Sequence, residues 1–278
     1  MLRNCISGFA WLEQRQNRVT IIACMMDEWS RFRMLIGDRK LAILQQSHVA
    51  LFGLGGVGGF ALEALARSGI GHFDLIDADS FALTNLNRQL LATQKTIGLA
   101  KCDVAKERIL SINPKAEVTL HQEFVLPDTI SHFDFASFDG VIDAVDTVSA
   151  KIAIIVSSQA SHTPIISCLG CGNRMDPTQL KIGDLFETNT DPLARVMRHE
   201  LRKRGVTSCP VIYSKEKPLP ALIPSDPSEA KPGRNSVPGS SAFVPSVAGI
   251  ELAYWMVWQL LQRDDVTKNS STCIEKNK

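Results

Sequence analysis

One stretch constrains this chain more than any other: VALFGLGGVGGFALEALARSG, from Val49 to Gly69, where an apolar strand runs into a cluster of glycines and leaves it as a helix. Glycines allow a tight turn and a close approach of backbone to an anion, and the unpaired N–H groups at a helix start attract negative charge. A phosphate is therefore expected at this turn. Read as G-x-G-x-x-G, through Gly53, Gly55 and Gly58, the turn is a dinucleotide fingerprint. Read as G-x-G-G-x-G, with Gly56 added, it suits equally an enzyme that adenylates a carboxylate with ATP. The turn alone serves both.

The surrounding pattern supplies the fold. The segments HVALFG, HFDLID, AEVTLHQ, GVIDAV and TPIISCLG read as strands, separated by helical stretches such as GFALEALARSG and AKCDVAKERILSIN and by a helix from about Ala150 to His162. Such alternation predicts an α/β fold, a Rossmann-like doubly wound and mostly parallel sheet that takes its ligand at the carboxyl ends of the strands. From Gly172 a C-terminal extension begins. It comprises an extended excursion (NRMDPTQLKIGDL), a basic helix (PLARVMRHELRKRG), a strand (CPVIYS) and an apolar terminal helix (VPSVAGIELAYWMVWQLLQ).

We read residues 27–262 as a single domain that carries a Pro-, Ser- and charge-rich loop at 215–241 and is followed by a polar tail at 263–278. Residues 1–26 read as an extension, either untranslated, with Met25 or Met26 as the start, or without fixed structure. Glu13, Arg15 and Arg18 interrupt any signal or spanning segment there. The terminal helix falls short of the roughly 20 residues a span requires and carries Glu251 and Gln259, so it is expected in the core or at a dimer interface, with contact at a membrane surface as the alternative. With 30 basic and 29 acidic residues the chain is not globally basic, and a nucleic-acid partner would need a local patch. Seven cysteines without regular spacing point to thiols in a reducing compartment, the cytoplasm, rather than to a disulfide framework.

The second strand leads into DLIDADSFALTNLNRQ, and here the choice of nucleotide is made. Asp77, nineteen residues past Gly58, stands where an acid accepts hydrogen bonds from a ribose hydroxyl, with Asp79 as its nearby competitor. Asn85, Arg88 and Gln89 follow, and Lys101 lies farther on in TIGLAKCD. Hydride transfer requires space for nicotinamide and its donor, whereas adenylyl transfer requires cations around a triphosphate whose α-phosphorus is attacked as pyrophosphate leaves. Arg88 and Lys101 supply that charge. Magnesium takes one or two carboxylates with phosphate oxygens and waters, and GVIDAVDTV offers Asp143 and Asp146. Asp146, further past the strand, is the better candidate.

Together, GLGGVGG, LIDADSFALTNLNRQ, GLAKCDVAKERILSINP and VIDAVDT resemble the ThiF/MoeB/E1 superfamily of ATP-dependent adenylating enzymes. Within it, CLGCGNRMDPTQLKIGDL, TDPLARVMRHELRKRGV and SSAFVPSVAGIELA are similar to the tRNA threonylcarbamoyladenosine dehydratase family, and the likeness runs from about Ser30 to Leu261. The resemblance implies a homodimer that uses ATP and magnesium to adenylate the threonyl carboxylate of the modified nucleoside beside the anticodon. A nitrogen of the same modification then displaces AMP and closes a ring. By motif position it gives Asp77 the ribose, Asn85, Arg88 and Lys101 the phosphates, and Asp146 the magnesium. It also gives Arg31, in WSRFR, the triphosphate of the partner subunit, and a cysteine-desulfurase or sulfur-acceptor system is a further candidate partner.

The chain departs from many adenylating relatives in lacking two C-x-x-C zinc pairs. Cys168 and Cys171 form one pair and no second exists, so no zinc is expected and the two are read as packing in a strand and turn. Cys209 is the other central thiol, a nucleophile or a buried inert residue. For the tRNA, Arg195, Arg198 and Arg202 recur at helical spacing beside Lys203 and Arg204, and Arg174 and Lys181 are candidates by location. Two other functions remain open on the residues alone: activation of the C-terminus of a ubiquitin-like sulfur carrier, and NAD-dependent oxidoreduction.

Overall fold

A computed structural model describes residues 27–189, 191–220, 222 and 237–275, without the side chains of 192 and 263–275. The extension at 1–26 and the greater part of the loop at 215–241 lie outside the described residues. The chain divides into two compact units, one ending at Ala42 and one beginning at Ile43. In the first, α1 (Ser30–Ile36) stops at Gly37, whose φ of +81 breaks the helix, and α2 (Asp38–Gln46) starts at once. Arg33 forms ion pairs with Asp27 and Asp38 on either side of that break.

The second unit is built on seven strands: β1 (His48–Phe52), β2 (His72–Ile76), β3 (Glu117–His121), β4 (Gly140–Asp143), β5 (Ile165–Cys168), β6 (Leu180–Asp184) and β7 (Pro210–Ser214). They lie in the order β3-β2-β1-β4-β5-β7-β6, all parallel except β6, which runs antiparallel to β7 at one edge. The central strands are nearly unbroken runs of apolar residues, as a sheet covered on both faces requires. The edge strand β3, by contrast, exposes Glu117 and Thr119. Helices α3 (Gly58–Arg67), α4 (Lys101–Ile112), α5 (Val148–Ala160), α6 (Pro192–Arg202) and α7 (Phe243–Glu275) complete the unit. This is the expected doubly wound, mostly parallel sheet, and the C-terminal excursion supplies the antiparallel strand β6.

The terminal helix is a core helix along one side. Val244, Ala248, Leu252, Met256 and Leu260 recur every fourth residue and are buried. Gly249 lets α7 cross α3 closely, since a Cβ there would stand 2.3 Å from the Val57 carbonyl oxygen. The other side exposes Ile250, Tyr254 and Trp258, with the last two rings stacked at 6.4 Å. The helix continues to Glu275, through residues read from sequence as a polar tail. Among the described residues no helix is long and apolar enough to cross a membrane.

Candidate active site

Chain order reverses across β1, which has β2 and β3 on one side and β4 on the other. Strands that diverge this way leave a crevice at their carboxyl ends, the usual ligand site of open α/β sheets. The glycine turn sits there. Gly53 has φ +90 and donates its N–H to the Ile76 carbonyl at 2.8 Å, and a Cβ on it would strike the Ala144 backbone at 2.8 Å. A Cβ on Gly58 would come within 1.8 Å of the Gly53 carbonyl oxygen, so the turn cannot close with any other residue there. Gly55 and Gly56 are only partly buried, and their nearest neighbours are Gln89 for the one and Arg88 and Pro245 for the other. The two inner glycines thus shape the turn, and the two outer ones face the NRQ segment.

Asp77 ties this turn to the end of β2. Its Oδ2 accepts from the Leu54 N–H at 2.7 Å and its Oδ1 from the Asp79 N–H at 2.8 Å. Lys101, the first residue of α4, is buried, and its Nζ lies 2.9 Å from Asp79 and 3.5 Å from Asp77. Both acids that competed for the ribose role therefore meet on one lysine. Asn85 shapes the intervening turn: its Oδ1 accepts from the Ala82 N–H, and its carbonyl accepts from the N–H groups of Arg88 and Gln89. Arg88 donates from Nη1 to the Thr84 carbonyl and to Asn87 Oδ1. Gln89 had no role assigned from sequence, yet it is 8% exposed, lies against Gly55 and leaves Oε1 without a partner among the described residues. Its place in the NRQ triplet was the available signal.

The two carboxylates after β4 part company. Asp143 is fully buried and accepts from Lys151 Nζ at 3.0 Å, Ser167 Oγ at 2.5 Å and the Val145 N–H at 3.2 Å. It braces the backbone against which Gly53 packs. Asp146 is exposed, with Thr147 Oγ1 at 3.4 Å. Arg31 is exposed on α1 in the first unit.

The basic helix is more committed to its own neighbourhood than its spacing suggests. Arg195 is exposed, but Arg198 donates to Thr188 Oγ1 and the Arg202 guanidinium lies 5.1 Å from the centroid of the Phe186 ring. Lys203 and Arg204 both bind Glu200, whose carboxyl those two bonds pull down to about 2. Arg174 requires a correction. Placed on the tRNA surface by location alone, it is 2% exposed, pairs with Asp191 at 3.0 Å and donates to the Glu216 carbonyl, so in this fold it presents no face to a polynucleotide. Lys181 is exposed on β6. Cys209 is buried, and burial pushes its thiol up to about 12, far from a nucleophile's range.

A glycine turn at a topological switch point, with acids and a buried lysine beside it, defines an α/β protein of the nucleotide-binding class. The sequence model of the ThiF family matches residues 29–271, and the chain belongs to that family. The tRNA threonylcarbamoyladenosine dehydratase of Bacillus subtilis (strain 168) is 41% identical over 252 residues, 88% of this chain and 98% of that protein. Two crystal structures of E. coli tRNA N6-threonylcarbamoyladenosine dehydratase, TcdA, one with AMP and one with ATP, superpose with TM-scores of 0.77 and 0.76. Each is 32% identical and covers 87% of this chain and 98% of its own.

Proposed function

We propose that this chain is an ATP-dependent tRNA threonylcarbamoyladenosine dehydratase, working as a homodimer in the cytoplasm. The observation that carries the reading is Lys101, a buried cation held by Asp77 and Asp79 at the glycine turn. Such a charge serves a triphosphate, where negative charge builds up as pyrophosphate leaves. The similarity to dehydratases along nearly their whole length supplies the substrate. In the first step the threonyl carboxylate attacks the α-phosphorus of ATP and pyrophosphate leaves. In the second, a nitrogen of the modification attacks the acyl carbon, AMP leaves, and the nitrogen gives up its proton. The nucleoside loses the elements of water.

Asp77 would accept from the ribose hydroxyls, while the outer glycines, Asn85, Arg88 and Lys101 would receive the phosphates. Lys101 must then exchange part of its carboxylate company for phosphate oxygens, and Asp77 keeps the turn in place through Leu54. Asp146, an exposed residue just past the end of β4, would hold the magnesium, while Asp143 is fully buried. When bound, the ion would offset charge on the phosphates. Arg195, on the exposed face of α6, is the basic-helix residue best placed for tRNA phosphates.

The test is to combine purified protein, ATP, magnesium and tRNA bearing threonylcarbamoyladenosine, and to weigh the nucleoside. A product lighter by one water with release of AMP is expected, and Arg88→Ala should abolish ATP–pyrophosphate exchange. An unchanged nucleoside, or turnover that consumes NADH without ATP, would overturn the assignment.

A further inference from the structure

Cys168 ends β5 and Cys171 lies in the turn that follows, with Leu169 and Gly170 between them. Their Sγ atoms are 3.6 Å apart and both are free thiols, Cys168 buried and Cys171 partly exposed. The surroundings of the turn are not neutral. Arg174 is buried, and its Nη1 has no hydrogen-bond partner among the described residues. A Cβ built on Gly170 would lie 3.7 Å from Asp191 Oδ2 and 3.9 Å from that nitrogen, so the Arg174–Asp191 ion pair lines the loop between the sulfurs. The hydrogen bond with Cys168 holds the Cys171 thiol below its ordinary range against the opposing effect of burial, with help from Arg174 and Lys151. The same bond, together with burial, pushes Cys168 well up. Two thiols at the ends of a C-x-x-C turn with their sulfurs 3.6 Å apart have the arrangement of an exchanging dithiol. Among the described residues no group of three or more His, Cys, Asp or Glu side chains is placed to hold a metal, and two sulfurs alone fall short of a zinc site.

We propose that Cys168 and Cys171 form a redox-active dithiol, a reversible modification site that closes to an intramolecular disulfide by exchange with a small-molecule disulfide such as oxidised glutathione. The Cys171 thiolate attacks one sulfur of that disulfide, forms a mixed disulfide and expels one thiolate. Cys168 then releases its proton and attacks the Cys171 sulfur, forming the internal bond and expelling the second thiolate. The two cysteines lose two electrons, and the small disulfide is reduced to two thiols. To bond, the sulfurs must close by about 1.5 Å from their present 3.6 Å. This chemistry is independent of the proposed tRNA reaction.

The experiment equilibrates the reduced, full-length protein with glutathione mixtures of rising oxidised fraction, quenches with acid, alkylates and maps the peptides by mass. The expected result is joint protection of Cys168 and Cys171, with loss of two hydrogens from one peptide, reversed by reductant. Cys168→Ser should shift the product to a stable glutathione adduct on Cys171, and Cys171→Ser should lose all modification at Cys168. Recovery of both residues as alkylated thiols in fully oxidised glutathione would overturn the proposal. So would a glutathione adduct on Cys171 of the unsubstituted protein without the internal bond. The mapping of the unsubstituted chain stands even if a variant folds poorly.

Discussion

Lys151 and Asp143 are an ion pair removed from water, with 1% and 0% of their side chains exposed and 3.0 Å between Nζ and Oδ2. Removing one partner of such a pair leaves an uncompensated buried charge, at a cost of about 3–5 kcal/mol. Lys151→Met is therefore expected to lower stability by that order in urea unfolding. The pair Lys151→Met with Asp143→Asn should recover part of the loss, because both charges are then gone while the Val145 N–H keeps its acceptor. A double variant as unstable as the single one would show that packing, not charge, sets the cost. Residues of this kind were half legible. Gly53, Gly58, Asp77 and Lys101 could be picked out from their types and spacing, and the structure places them together at the ends of β1 and β2. Arg174 could not, since its partner Asp191 is 17 residues away and only folding brings the two together.

At the scale of elements, three neighbouring strands share a polar seam. Asp74 on β2 is held between His48 on β1 and His121 on β3, at 2.8 Å from each. The hydrogen bond to Asp74 raises the pKa of His48 against the effect of its partial burial. Burial pushes the Asp74 carboxyl up, but the bonds from His48 and His121 outweigh it and leave it below its ordinary range. The signs follow. The His48 contribution to stability is fully present below its unfolded pKa of about 6.5 and fades as pH rises through its higher folded value. The Asp74 contribution is present above its unfolded value and fades as pH falls through its lower folded one. Asp74→Asn should therefore lower the melting temperature more at about pH 5 than at about pH 9, and a difference that does not vary with pH would exclude the seam as a titrating unit. Alternation along HFDLI suggests which residues share a face. It does not say which strand lies beside which, so the seam could not be read from any one strand.

At the scale of the whole molecule, the reading of Arg31 as a residue acting on a partner's triphosphate makes two inactive variants complementary. Arg31→Ala and Lys101→Ala homodimers should each fail in ATP–pyrophosphate exchange. Mixed and allowed to exchange subunits in equal amounts, they should regain about a quarter of normal activity, because half of the dimers then hold one intact site of two. No recovery, with subunit exchange shown by mass, would confine Arg31 to its own subunit or remove it from the site. The order of strands and helices was legible across this scale because each βαβ unit is written locally, in apolar runs, helical spacing and glycine stops. The antiparallel β6 was seen only as an extended excursion, since its direction is set by pairing with β7.

By itself the sequence determined the alternating α/β architecture, the position of the anion-receiving turn and the residue types that surround it, because backbone geometry and phosphate chemistry act over a few neighbouring residues. Only the tertiary structure decided which charges stay exposed and which are buried. Asp146 is exposed while Asp143 is locked to Lys151, and Arg195 reaches solvent while Arg174 is buried. The physical reason is that the fate of a charge depends on the groups packed across from it, and those come from distant parts of the chain.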